Sequence, residues 1–136
     1  MKAPFPLLLL LACLPAVAGV TYSSFSIHTI ASANPTTSNL PTHVQVTGWV
    51  ISKSKQSDGD WHIAVCDSNS FTSFDRFHCI NAEVVPYLQC NPLPAKGAQV
   101  TLNGTLRFDG PQDWWEIHPV EHISGRTCLS TGIPPL

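Results

Sequence analysis

Charge is scarce in this chain. It has seven Lys and Arg and nine Asp and Glu, and 12% of its 136 residues are charged. No basic run occurs anywhere. Binding to a nucleic-acid backbone rests on phosphate neutralisation by Lys and Arg, so that partner class is disfavoured. Long apolar runs are missing too. The longest, Phe5 to Ala12, falls well short of the ~20 residues that a bilayer span needs. It lies between Lys2 and Ala16-Val-Ala18, the order of a secretory signal: positive end, short apolar core, small-x-small cleavage site. A rival reading takes Leu10-Leu-Ala-Cys13 as a lipoprotein box with Cys13 acylated, but Leu at its second position and the short leader fit poorly. No transmembrane segment is expected once residues 1–18 are removed. CxxC and other zinc-like cysteine spacings are absent, so a cysteine metal site is disfavoured and no cofactor is expected.

Cleavage would leave about 118 residues, enough for one domain with a modest core. With Lys2 gone, six basic residues face nine acidic ones, a net −3 with neutral histidines. Four cysteines remain, Cys66, Cys79, Cys90 and Cys128, and an oxidising compartment makes two disulfides the default. Cys66–Cys79 within a hairpin and Cys90–Cys128 tying down the tail is the favoured pairing. Cys79–Cys90 with Cys66–Cys128 is the alternative. A Cys90–Cys128 bridge would add ~3–4 kcal/mol by the chain-entropy estimate.

Residues 19–41 are rich in Ser, Thr, Asn and Pro and read as a flexible linker or a loosely docked arm, with Phe25, Ile27 and Ile30 able to pack. The folded part starts near His43. Val44, Val46, Gly48 and Val50 alternate with Gln45, Thr47, Trp49 and Ile51, a first strand whose glycine predicts a bend or bulge. A loop from Lys53 to Asp60 follows, then strands over Trp61–Asp67 and Arg76–Glu83. Pro86, Pro92 and Pro94 allow one short helix at most, around Pro86 to Cys90. Val100 to Phe108 alternates cleanly and Trp114 to Ile123 is the fifth strand. Asn103-Gly-Thr105 matches a glycosylation pattern but falls inside a strand.

Three strands, a short helical connection and two strands, with glycine inside the first and fourth, resemble the OB-fold over Thr42–Ile123. The fold class expected is all-β: a five-stranded OB-like Greek-key barrel, residues 42–124, with a tail over 125–136. Asp58-Gly-Asp-Trp-His-Ile63 and Trp115-Glu-Ile-His-Pro-Val120 resemble the paired signatures of small secreted bacterial OB-like proteins of uncharacterised function. That resemblance implies a fold and supplies no catalytic residues.

Each of those segments holds an acid and a histidine two apart, Asp60-x-His62 and Glu116-x-His118, which places each pair on one strand face. In such a barrel the third strand separates them. Two strand spacings, ~9–10 Å, are too far for one zinc, whose bonds to His are ~2 Å. If Cys66 and Cys79 face each other, His62 faces Glu83, and Glu83 can bridge the gap. A rim of Asp60, His62, Glu83, Glu116 and His118 follows. The plainer reading makes these groups loop anchors, with Asp58 and Asp60 doing turn chemistry and Glu116 pairing with Arg107. Trp61 and one of Trp114 or Trp115 belong to the core, while Trp49, off the valine face, is the stacking candidate.

The function these features favour is a secreted or periplasmic, non-enzymatic binding module for an oligosaccharide, oligonucleotide, peptide or protein. Its candidate ligand-binding residues are Trp49, His62, Glu83, Trp114, Glu116 and His118. The alternatives are a small metal-dependent hydrolase or nuclease on the acid–histidine rim, and a structural or envelope-stress protein.

Overall fold

The computed structural model describes residues 19–130. The leader assigned to residues 1–18, with its rival Cys13 reading, and the end of the tail lie outside them. In chain order the elements are β1 (Ser23–Ser24), α1 (Ile27–Ala31), β2 (His43–Lys55), β3 (Trp61–Cys66), β4 (Cys79–Val84), β5 (Leu88–Gln89), β6 (Gln99–Asp109), β7 (Trp114–Ile123), β8 (Arg126–Thr127) and β9 (Leu129–Ser130).

Five of these strands close a barrel in the order β2-β3-β4-β7-β6, with β6 returning to β2. The all-β, closed five-stranded barrel expected from sequence is therefore present. Strand β2 serves both neighbours. Its first half, from His43 to Trp49, pairs with β6, and its second half, from Trp49 to Lys55, pairs with β3. All barrel contacts are antiparallel except β4 with β7, which run parallel through Asn81↔Glu116 and Ala82↔Ile117. Alternation fills the interior: Val44, Val46, Val50, Ile63, Val65, Ile80, Leu102, Ile117 and Val120 are all buried. Each fully buried aliphatic side chain stabilises by roughly 1.5–3 kcal/mol.

A register shift between Val50 and Ser52 marks a bulge in β2. It turns Ile51 outward, where Ile51, Ala64 and the Cys66–Cys79 bridge form a second small cluster under Phe71 and Phe74. The other bridge joins Cys90 to Cys128. The favoured pairing is thus the one observed.

Residues 19–41 need correction, because they are not a free linker. Strand β1 lies parallel to the start of β2, and α1 packs against β2, β4 and β7. Ile27 and Ile30 are among the fully buried side chains of the barrel core. Ser26 caps α1, its hydroxyl accepting from the Thr29 amide at 3.0 Å. The Ser/Thr/Asn-rich composition hid a five-residue helix with apolar residues at spacing three, too short for a periodic signal. Gly48 explains the fit. A Cβ there would collide with the Ile27 side chain and stand 2.6 Å from the Cys66 carbonyl oxygen. Its role is close approach, which lets α1 sit on β2.

Three boundaries also shift. Strand β2 continues through Lys55, and the hairpin turn is confined to Gln56–Asp60, closed by Gln56 N–H donating to the Asp60 carbonyl at 2.7 Å. Strand β4 starts at Cys79, because Asp75 accepts from the Phe77 amide through its carboxylate and from the Cys79 amide through its carbonyl, holding a turn where a strand was expected. The helix expected around Pro86 to Cys90 is replaced by β5, which pairs with β9. The tail is likewise integrated, with β8 on β7 and Cys128 in the core.

Docking of the arm makes a direct prediction. Ile27→Ala should lower unfolding stability by about 2–4 kcal/mol in urea denaturation, as buried Ile truncations do. An unchanged midpoint would mean the arm does not pack.

Candidate functional site

The outer faces of β3, β4 and β7 form a grid whose rows follow from the strand register. Cys66 faces Cys79, Ala64 faces Asn81, and His62 faces Glu83. On the far side Asn81 pairs with Glu116. Parallel strands advance together, so Glu83 lies beside His118. The rows therefore change character in order. The disulfide and Trp114 come first, then Ala64, Asn81 and Glu116, then His62, Glu83 and His118. Strand β6 adds Arg107 opposite Glu116.

Glu83 does bridge the two acid–histidine pairs. Its Oε1 lies 3.1 Å from His62 Nε2 and its Oε2 2.6 Å from His118 Nδ1. Asn81 Nδ2 donates to Oε1 at 3.0 Å. Glu116 sits behind, its Oε1 accepting from Arg107 Nε and lying 3.6 Å from His118 Nδ1. Asp60 completes the group from the hairpin turn, where its own amide donates to Asp58 at 3.0 Å. Ligand atoms of Asp60, Glu83 and His118 all lie within 4.8 Å of one another. Four of the six candidate residues, His62, Glu83, Glu116 and His118, thus share one place.

Burial is what separates this group from ordinary surface charge. Glu116 has 0% exposure and Glu83 5%, yet both face away from the barrel core. The imidazoles form the lid and are partly open to solvent. Glu116 Oε2 and His118 Nδ1 are buried without an aligned hydrogen-bond partner among the described residues. The 2.6 Å approach of His118 to Glu83 is therefore a charge contact rather than a well-directed bond.

These surroundings push the two glutamates apart. Burial, then a hydrogen bond to Glu116 and its charge, raise Glu83 to about 7. For Glu116 burial also works upward, but the neighbouring His118 and the hydrogen bond from Arg107 prevail and hold it at about 2. The Glu116 carboxylate beside it raises His118 above the ordinary imidazole value, against burial. Burial and the charge of Asp58 raise Asp60. Two facing carboxyls without a donor between them need a positive species there, and in this arrangement Glu83 keeps a proton at mildly acidic pH.

The aromatic candidates fall elsewhere. Trp49 lies opposite Cys66, roughly 13 Å along β3 from His62 at strand rise. It lines a separate cleft of about 250 Å³ with Phe71 and Lys96. Trp114 is next to Glu116 in the grid but packs on Phe74, ring centroids 4.9 Å apart. Of the two adjacent tryptophans Trp115 is the core one, its Nε1 donating to the Ala33 carbonyl at 3.0 Å. Trp61 is half-buried against the core. Asn81, which the sequence reading passed over, is signalled only by its place two residues before Glu83. A second histidine group was also missed. His28 and His78 stack with ring centroids 4.7 Å apart, and His78 Nδ1 lies 2.8 Å from Asp67. His28 belongs to the arm, so no local spacing connects it to His78.

No protein-family model and no curated protein matches this chain.

The raised pKa values fix a sign. Stability contributed by Glu83 is complete below its ordinary 4.5 and is lost as pH rises through about 7. His118 acts in the same direction, from its ordinary 6.5 upward. Glu116 acts oppositely, losing its contribution only as pH falls from 4.5 through about 2. Cation-free protein should therefore unfold at lower urea as pH goes from about 5 to about 8, and Glu83→Gln should flatten that slope. A midpoint that climbs over the same range contradicts the assignment.

Proposed function

We propose that this protein is an extracytoplasmic, non-enzymatic binding module whose ligand docks on the outer face of β3, β4 and β7. The observation that carries this is the burial of Glu83 and Glu116 on the side of the sheet that faces away from the core. Charge held there adds nothing to core packing and has a desolvation cost. Functional sites are built from carboxyls whose surroundings separate their pKa values in this way. Two disulfides and, among the described residues, no helix long and apolar enough to cross a membrane agree with an extracytoplasmic setting. The leader read from the sequence supplies the export route, and the likeness to small secreted OB-like proteins points the same way.

The ligand class follows from the donors and acceptors on offer. Carboxylates accept hydrogen bonds from hydroxyls and ammonium groups and repel phosphates. An oligosaccharide or a basic peptide fits this face, and an oligonucleotide does not. Partly exposed imidazoles add donors or acceptors according to pH.

The test is a glycan and peptide array, followed by titration of the hits. Glu83→Gln and His62→Ala should each weaken binding about tenfold or more, the range for hydrogen bonds to a charged group. Trp49→Ala, which changes the separate cleft, should leave it within about twofold, well under the 1.4 kcal/mol of a tenfold change. Oligonucleotide binding with a steep inverse salt dependence would refute the ligand class. An empty array would favour the structural role.

A further inference from the structure

Asp60, Glu83 and His118 meet at the end of the grid with Glu116 one row behind, and among the described residues Arg107 is the one permanently charged cation paired with these carboxyls. With all three carboxyls ionised, as above neutral pH, and the imidazoles neutral, the group carries −2. Within the group His118 Nδ1, 2.6 Å from Glu83 Oε2, is buried without an aligned partner among the described residues, and so is Oε2 of the fully buried Glu116 behind it. An uncompensated buried carboxylate oxygen is costly unless a cation or proton meets it. One divalent cation would cancel the excess charge.

We infer that Asp60, Glu83 and His118 form a binding site for a zinc-type divalent cation, with His62, Glu116, Asn81 and Arg107 holding the ligands in place. The inference rests on the binding face proposed above and names a component of it. The donor set is two carboxylate oxygens and one imidazole nitrogen, already within 4.8 Å of one another. Ligand atoms of a tetrahedral zinc stand about 3.4 Å apart, given bonds near 2.1 Å, so side-chain rotation must open the 2.6 Å approach of His118 Nδ1 to Glu83 Oε2 and bring Asp60 to the same point. Imidazole favours zinc, cobalt or nickel over magnesium or calcium, which prefer all-oxygen shells.

The surrounding groups match what such ligands need. Asn81 donates to Glu83, and His62 approaches its Oε1, leaving Oε2 for the cation. Arg107 fixes Glu116 beside His118. Outer partners of this kind orient ligands and typically change affinity by about 10–100-fold when removed. Three protein ligands leave a fourth position open, reachable past the partly exposed imidazoles. A hydroxyl or carboxylate of a docked ligand can take that position.

The experiment is calorimetric titration of the full secreted chain with Zn²⁺ after dialysis against a chelator. One Zn²⁺ per chain is expected at this site. Asp60→Asn, in the hairpin turn and outside the core, and His118→Ala should each weaken it about 100-fold, whereas Glu116→Gln should weaken it about 10–100-fold. His28→Ala tests the second histidine group and should change nothing. Co²⁺ substitution gives an independent readout, a visible absorption band lost in His118→Ala. Near-UV circular dichroism confirms that the variants are folded. No saturable Zn²⁺ binding in the wild-type chain overturns the inference, and so does binding that survives both Asp60→Asn and His118→Ala. If Zn²⁺ fails while array hits still depend on Glu83, only the metal site falls. If the hits are also indifferent to Glu83, the binding face falls with it.

Discussion

The short parallel seam between β4 and β7 is the contact on which the rest of this molecule depends. Only Asn81↔Glu116 and Ala82↔Ile117 are paired along it, yet it closes the barrel. Inside the seam Ala82 and Ile117 complete the core. Outside it, the same register brings Glu83 beside His118 and Asn81 beside Glu116. A parallel pairing needs a long crossover between its strands, and here β5 and β6 occupy that stretch. One register thus settles both the interior packing and the arrangement of the outer groups. A slip of one residue would turn Ile117 outward and put Glu116 into the apolar core.

That coupling explains why burying two glutamates is tolerated. An ion pair taken out of water repays its desolvation only when its geometry is good and its remaining lone pairs are met. Glu116 has Arg107 from β6 and His118 two residues on. Glu83 has Asn81 and both imidazoles. The strands hold these partners in fixed register, so little side-chain freedom is left to lose when they meet. What remains unmet among the described residues of this group is one oxygen of Glu116 and the Nδ1 of His118.

Much of this was legible because strand periodicity is simple. Parity alone placed His62 opposite to Ile63 and Glu116 opposite to Ile117. The spacing of Cys66 and Cys79 set the hairpin register that put Glu83 between the histidines. What escaped the sequence reading depends on contacts across long stretches of chain. The role of Ile27 and Ile30 required knowing that Gly48 leaves room for them. The turn at Asp75 competed locally with β propensity and won through side-chain hydrogen bonds. The region after Pro86 could not form a helix, but its two-residue strand is set by the tail, through β9 and the Cys90–Cys128 bridge. The stacking of His28 on His78 joins the arm to the start of β4, and no pattern within either segment announces it.

The docked arm also orders events in time. Chain synthesis delivers residues 19–41 before every barrel strand, yet some of their partners come last. Ala33 waits for Trp115, 82 residues later, and Tyr22 for Glu121, 99 residues later. The docking of this segment is therefore completed only after β7 exists, when the other barrel strands are already made. Contacts of such sequence separation slow folding, since loop closure must precede them. A segment made early is thus locked in place by the last strand of the barrel.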